Sequence, residues 1–143
     1  MGYAIGTMAM TVPAARAWEV LRDFGNLLEW MPSIEGATLS TSGEGVGMVR
    51  TLSLPGLGAG DEQLEANDDD HMVQVFKISP GGPFGASRYQ GRISVRPSGE
   101  NGCKVLWEGF FDVPDGIDET EVSTQLAGAY GFMLGGLKEH LGG

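Results

Sequence analysis

The sequence predicts an α+β domain in which a curved antiparallel sheet of about seven strands wraps one long C-terminal helix. Three observations predict it. Between residues 34 and 113 the apolar runs are short and are separated by Gly, Pro and Asp turn signals, the pattern of strands joined by hairpins. No segment there is long enough for the crossovers that parallel strands require. From Asp118 onward the apolar period becomes helical, and two brief helical patterns follow the first strand, so helices and sheet are segregated along the chain.

The elements follow in order. Met1 to Val12 alternates loosely and stops at Pro13, as a first strand would; Thr11 offers a helix cap, with Pro13 in the first turn. Ala14, Ala17, Trp18 and Leu21 recur at helical spacing up to about Asp23. Leu27, Leu28, Trp30 and Met31 form a second short helix that Pro32 ends. Strands are then expected at Ile34–Thr41, Val46–Leu54, Asp61–Ala66, His71–Ser79, Arg88–Arg96 and Cys103–Val113. In the final helix, expected over at least Glu121–Lys138, Val122, Leu126, Ala129, Met133 and Leu137 make the apolar stripe. Gly128, Gly131, Gly135 and Gly136 each cost it about 1 kcal/mol of propensity, so packing against the sheet must hold it.

Composition narrows the function. The 143 residues fit one domain, 1–143, with 41% hydrophobic and 20% charged residues. Against 9 basic residues stand 19 acidic ones, a formal charge of −10 that repels nucleic acid and anionic lipid surfaces. No run is long enough to span a bilayer and the N-terminus lacks a secretory pattern, so a cytoplasmic location is the default expectation. Cys103 is alone, and no Cys/His cluster has metal-ligand spacing. No phosphate-cradling or dinucleotide motif appears, so neither metal nor cofactor is expected. Oligomeric state is open, a homodimer included.

Strand alternation sorts the candidate residues by face. Val105, Trp107, Gly109 and Phe111 share the inner face of their strand, leaving Glu108 outside. Tyr89, Gly91, Ile93 and Val95 share the inner face of the preceding strand, with Arg92 placed outside as a surface partner for Glu108. Arg50 and Glu62 flank one hairpin, and counting from its loop puts them on adjacent strands within about one register step. They read either as a buried pair able to orient a ligand carbonyl or hydroxyl, or as an exposed cross-strand salt bridge. His71 and His140 have no nucleophile or carboxylate partner in sequence, and Asp68-Asp69-Asp70 reads as a solvated turn.

Pro13 to Phe24 (PAARAWEVLRDF) with Trp30-Met31-Pro32, Gly47 to Leu52 (GMVRTL), Glu62-Gln63-Leu64 and Val105 to Phe111 (VLWEGFF) resemble the START-related superfamily, in particular its bacterial polyketide cyclase/dehydrase-like branch. The likeness runs along nearly the whole chain. It departs at Gly81 to Ala86, where the second proline of the related Gly-Pro-Leu-Pro loop is missing. The resemblance implies a helix-grip fold and an internal cavity for a small hydrophobic, polyketide-like or lipid-like molecule. It also implies an alternative, an enzyme of cyclase, aromatase or dehydratase type. The expected ligand wall is Trp30, Arg50, Glu62, Tyr89, Trp107, Phe111, Leu126, Tyr130 and Met133, and the catalytic candidates are Glu62, Arg50 and Tyr89. Glycines in the helix and at Gly91 and Gly109 are expected to hollow the interior, with Ser79–Ser87 as a loosely held gate. A third class, an interaction domain, would instead show a filled interior and an exposed apolar patch.

Overall fold

In the computed structural model, which describes residues 1–56, 58–78 and 80–143, seven strands form one sheet in the order β1-β7-β6-β5-β4-β3-β2. The strands are β1 (Gly2–Met10), β2 (Thr38–Ser42), β3 (Val49–Leu54), β4 (Gly58–Asp68), β5 (Val73–Ile78), β6 (Arg88–Pro97) and β7 (Cys103–Asp112). Every neighbouring pair is antiparallel. β2 to β7 form the expected meander. The first strand, however, pairs with the last, from Gly2↔Phe111 to Met10↔Cys103. A register irregularity between Leu64 and Ala66 breaks the β4–β5 ladder, a feature that bends a strand and deepens local twist.

The helices are α1 (Ala14–Leu21), α2 (Leu27–Trp30) and α3 (Glu119–Leu141). α1 buries Ala14, Ala17, Trp18 and Leu21, the four residues whose spacing announced it. Its cap differs from expectation. Pro13 takes the N-cap place, and its carbonyl accepts from the amides of Arg16 and Ala17. Thr11 instead donates its hydroxyl and amide to the Gly143 carbonyl, joining the strand end to the end of the long helix.

α3 runs unbroken through Gly131. The Asp118 carboxylate caps it by accepting from the Thr120 and Glu121 amides, and Gly142 closes it at φ 78°, a left-handed conformation that glycine adopts freely. Its buried stripe is Val122, Leu126, Tyr130, Leu134, Leu137 and Leu141. Ala129 and Met133 lie at the margin of this stripe, only partly buried. The residues i+4 from Leu126 and Tyr130 carry the contact with the sheet, because Tyr130 Cβ rests on Gly6, where an added Cβ would come within 2.6 Å of it.

The strand glycines expected to hollow the interior are met by side chains. A Cβ built on Gly128, Gly131 or Gly135 would meet no atom within 4 Å beyond the helix's own backbone. At Gly91 and Gly109 the released volume is filled by the Phe76 ring and the Tyr130 hydroxyl, which sit where a Cβ would stand. Glycine opposite an aromatic ring is therefore a packing device here. Two concavities, of about 450 Å³ and 170 Å³, lie on the outer face of the sheet, among Val73, Val75, Arg92 and Phe110 and among Val49, Asp61, Gln63 and Lys77. Among the described residues, no helix is long and apolar enough to cross a membrane.

Candidate functional site

Arg50, Glu62 and two tyrosine hydroxyls are buried together on the largely apolar inner face. Arg50 of β3 stands directly opposite Glu62 of β4, so hairpin counting placed the pair correctly. Both turn inward: Arg50 Nε donates to Glu62 Oε1 at 2.7 Å, with side chains 4% and 15% exposed. Arg50 Nη1 donates to the Phe24 carbonyl at 3.1 Å. The guanidinium lies 3.9 Å from the centre of the Phe24 ring and 5.1 Å from that of Phe76. Its charge is thus met by a carboxylate, a carbonyl and two aromatic faces, which makes burial tolerable.

From Phe76 a chain of rings crosses the inner face. Phe76 meets Phe24, Tyr89 and Trp107 at centroid distances of 5.9, 6.2 and 6.2 Å. Trp107 stacks on Tyr130 of α3 at 4.9 Å and 13°. The Tyr89 and Tyr130 hydroxyls are 2.5 Å apart and share one hydrogen bond over Gly109. Burial pushes the Tyr89 phenol up to about 12; hydrogen bonds and the nearby Arg50 charge pull it down less than burial lifts it. Burial also raises Tyr130, reinforced by the Tyr89 oxygen beside it. Both are therefore neutral proton donors across the physiological range. The Trp107 indole Nε1 is buried without a hydrogen-bond acceptor among the described residues.

The structure thus brings together Arg50, Glu62, Tyr89, Trp107 and Tyr130 from the expected wall. It does not gather the rest. Trp30 lies where α2 meets α3, its carbonyl 2.8 Å from a Cβ built on Gly136. Phe111 turns its ring over Gly2 at the β1 side. Leu126 belongs to the helix core, and Met133 packs at its edge. Phe24 and Phe76 were missed as site residues. Phe76 had a readable signal, since it falls between Gln74 and Ile78 in strand alternation and pairs with Gly91.

The loop after β5 is better anchored than its composition implied; Ser79 lies outside the described residues. The Gly81 amide donates to the Ser87 carbonyl, the Ser87 amide to Asp112, and Ala86 is buried. Gly82 sits against Tyr89, so the loop closes that end of the inner face. On the outer face Glu108 accepts from Tyr3 at 2.7 Å rather than from Arg92, correcting the expected Arg92–Glu108 pair. The Asp68–Asp70 turn is exposed, as expected, and is tied to α1. Asp69 holds the Arg22 guanidinium and the Trp18 indole, and these bonds keep its carboxyl below the usual range; Asp68 is lowered likewise by His71.

A curved antiparallel sheet closed by a long C-terminal helix, with polar groups sequestered between them, is the helix-grip architecture of the START-related ligand-binding domains. The chain belongs to the family described as polyketide cyclase / dehydrase and lipid transport, whose model matches residues 6–142. It is 30% identical over 123 residues to the abscisic acid receptor PYL2 of Arabidopsis thaliana, an alignment covering 80% of this chain and 64% of the receptor. The structure of the XoxI protein from Bacillus cereus superposes with a TM-score of 0.81 at 26% identity, covering 97% of this chain and 94% of that one. Norcoclaurine synthase from Thalictrum flavum, solved with dopamine and hydroxybenzaldehyde, shares the fold at a TM-score of 0.77 and 20% identity, covering 97% and 85% of the two chains.

Proposed function

We propose that the protein binds a small, mostly apolar molecule, polyketide-like or lipid-like, between the inner face of the sheet and α3, within the cytoplasm. One observation carries the reading: a paired but costly set of polar groups, Arg50 and Glu62, is buried on the inner face where apolar residues would pack more cheaply. Such a group orients a bound molecule. The rings of Phe76, Trp107 and Tyr130 now occupy the space over the strand glycines, so a ligand would displace them rather than enter a standing void.

The cyclase or dehydratase alternative has less behind it. Tyr89 and Tyr130 stay protonated well above neutrality, so either could serve only as a proton donor, and the carboxylate candidate, Glu62, is already paired with Arg50. The occupied space at Gly91 and Gly109 leaves room for a different second reading, an interaction domain using the outer face, where Met1, Tyr3 and Ile5 are exposed beside the larger concavity. Native mass spectrometry of protein purified from its own host separates these. A small molecule retained natively and released on denaturation supports binding. A bare mass, or a second polypeptide in the complex, overturns it.

A further inference from the structure

Two donors of the buried polar cluster have no acceptor within hydrogen-bond geometry. Two tyrosine hydroxyls share one hydrogen bond, so one O–H remains undirected, and among the described residues neither hydroxyl has another partner. The Trp107 Nε1–H is a second unmatched donor, on a side chain only 6% exposed. An unmatched buried donor is costly, and native interiors rarely keep one without a use. These donors converge. Trp107 stacks on Tyr130, and its N–H is close enough to the Tyr89 oxygen to favour its ionised form without reaching hydrogen-bond geometry.

No acceptor oxygen of the cluster is placed to take these two hydrogens. From the two unpartnered donors at Trp107 and the Tyr89–Tyr130 pair we infer that the bound molecule is a neutral carbonyl compound whose oxygen is held by the Trp107 indole and the free tyrosine hydroxyl. Neutrality follows from the charges nearby. Arg50 is the cation of this inner face and Glu62 already neutralises it, so a buried carboxylate would stand unpaired. Glu62 would also repel it. A ligand hydroxyl fits less well, because it brings a further donor. The inference rests on the proposed interior binding and deepens it: it adds the chemical class of the ligand and the residue that anchors it.

The test uses three probes of one shape: 2-acetylnaphthalene, 2-isopropenylnaphthalene, in which a methylene replaces the carbonyl oxygen, and 2-naphthoate. Affinities are measured for the wild-type protein and W107F, together with the Trp107 indole N–H resonance. The ketone should bind the wild type roughly tenfold to a hundredfold tighter than the hydrocarbon, with 2-naphthoate weaker than the ketone. The indole resonance should move downfield with the ketone only. W107F should lose most of this ratio while its affinity for the hydrocarbon changes by less than about threefold, which shows that the pocket is otherwise intact. Equal binding of ketone and hydrocarbon to the wild type overturns the carbonyl anchor and leaves interior binding standing. So does a ratio that survives in W107F, or a preference for 2-naphthoate. If none of the probes binds, the interior reading falls, and this inference with it.

Discussion

Two arginine–carboxylate pairs bridge neighbouring strands of this sheet, and they differ in little except the face they occupy. Arg50 and Glu62 are directly opposed across β3 and β4 at 2.7 Å, and Arg88 and Asp112 are directly opposed across β6 and β7 at 2.9 Å. The inner pair has side chains 4% and 15% exposed; the outer pair, 60% and 40%. Water screens the outer pair, which can separate at little cost. The inner pair is insulated, so each partner depends on the other. Both pairs join an arginine to a carboxylate. The face decides whether they are surface decoration or a group the fold must keep satisfied.

The most forceful way to break this comparison is Glu62→Leu, which leaves Arg50 buried with only the Phe24 carbonyl and two aromatic faces. Urea unfolding should show a loss of about 3–5 kcal/mol. Glu62→Gln keeps an acceptor for Arg50 and should cost clearly less. On the helix the same contrast of faces appears in two glycines. A Cβ at Gly136 would lie 2.3 Å from the Pro32 ring and 2.6 Å from its backbone nitrogen, so Gly136→Ala should destabilise by about 1–3 kcal/mol. Gly128 has open space around it, and Gly128→Ala should stabilise by up to about 1 kcal/mol.

The tyrosines sharpen the comparison through pH. Their folded-state phenols titrate above the ordinary value of 10, Tyr89 near 12, so the folded state binds more protons than the unfolded one in that interval. Their stabilising contribution is complete below about pH 10 and is lost as pH rises through the folded values. Tyrosine absorbance should therefore show buried phenols titrating only above pH 10, together with any alkaline unfolding. A buried phenol titrating at 10 with near-ultraviolet dichroism unchanged contradicts the burial. The smallest effect belongs to the outer pair: Arg88→Ala or Asp112→Asn should shift unfolding by under about 1 kcal/mol, and less in high salt.

The legible parts of this molecule are the local ones. Hairpin counting suffices for the Arg50–Glu62 pairing because the strands are consecutive and one short loop sets their register. Alternation likewise assigns Trp107 and Tyr89 to the inner face. Contacts between distant segments have no such ruler. Nothing within Gly2–Met10 specifies β7 as its partner, and nothing in the helical period distinguishes Tyr130 from Met133 as the residue facing Trp107. The occupants of the space over Gly91 and Gly109 were unreadable for the same reason. A glycine in a strand marks a close approach, but whether ligand or ring approaches depends on a residue far away in sequence, Phe76 at Gly91 and Tyr130 at Gly109. Asp69 was missed because Arg22 and Trp18, which hold it, lie on α1.

The inner face, not the outer, is proposed to hold the ligand, and one measurement puts the two faces in competition. Wild type, Glu62→Gln and Asp112→Asn are purified in parallel from the native host, checked for folding by circular dichroism, and weighed intact under native conditions. Wild type and Asp112→Asn should carry the same added small-molecule mass, and folded Glu62→Gln should have lost most of it. Loss in Asp112→Asn with retention in Glu62→Gln would contradict the account and move the site to the outer face.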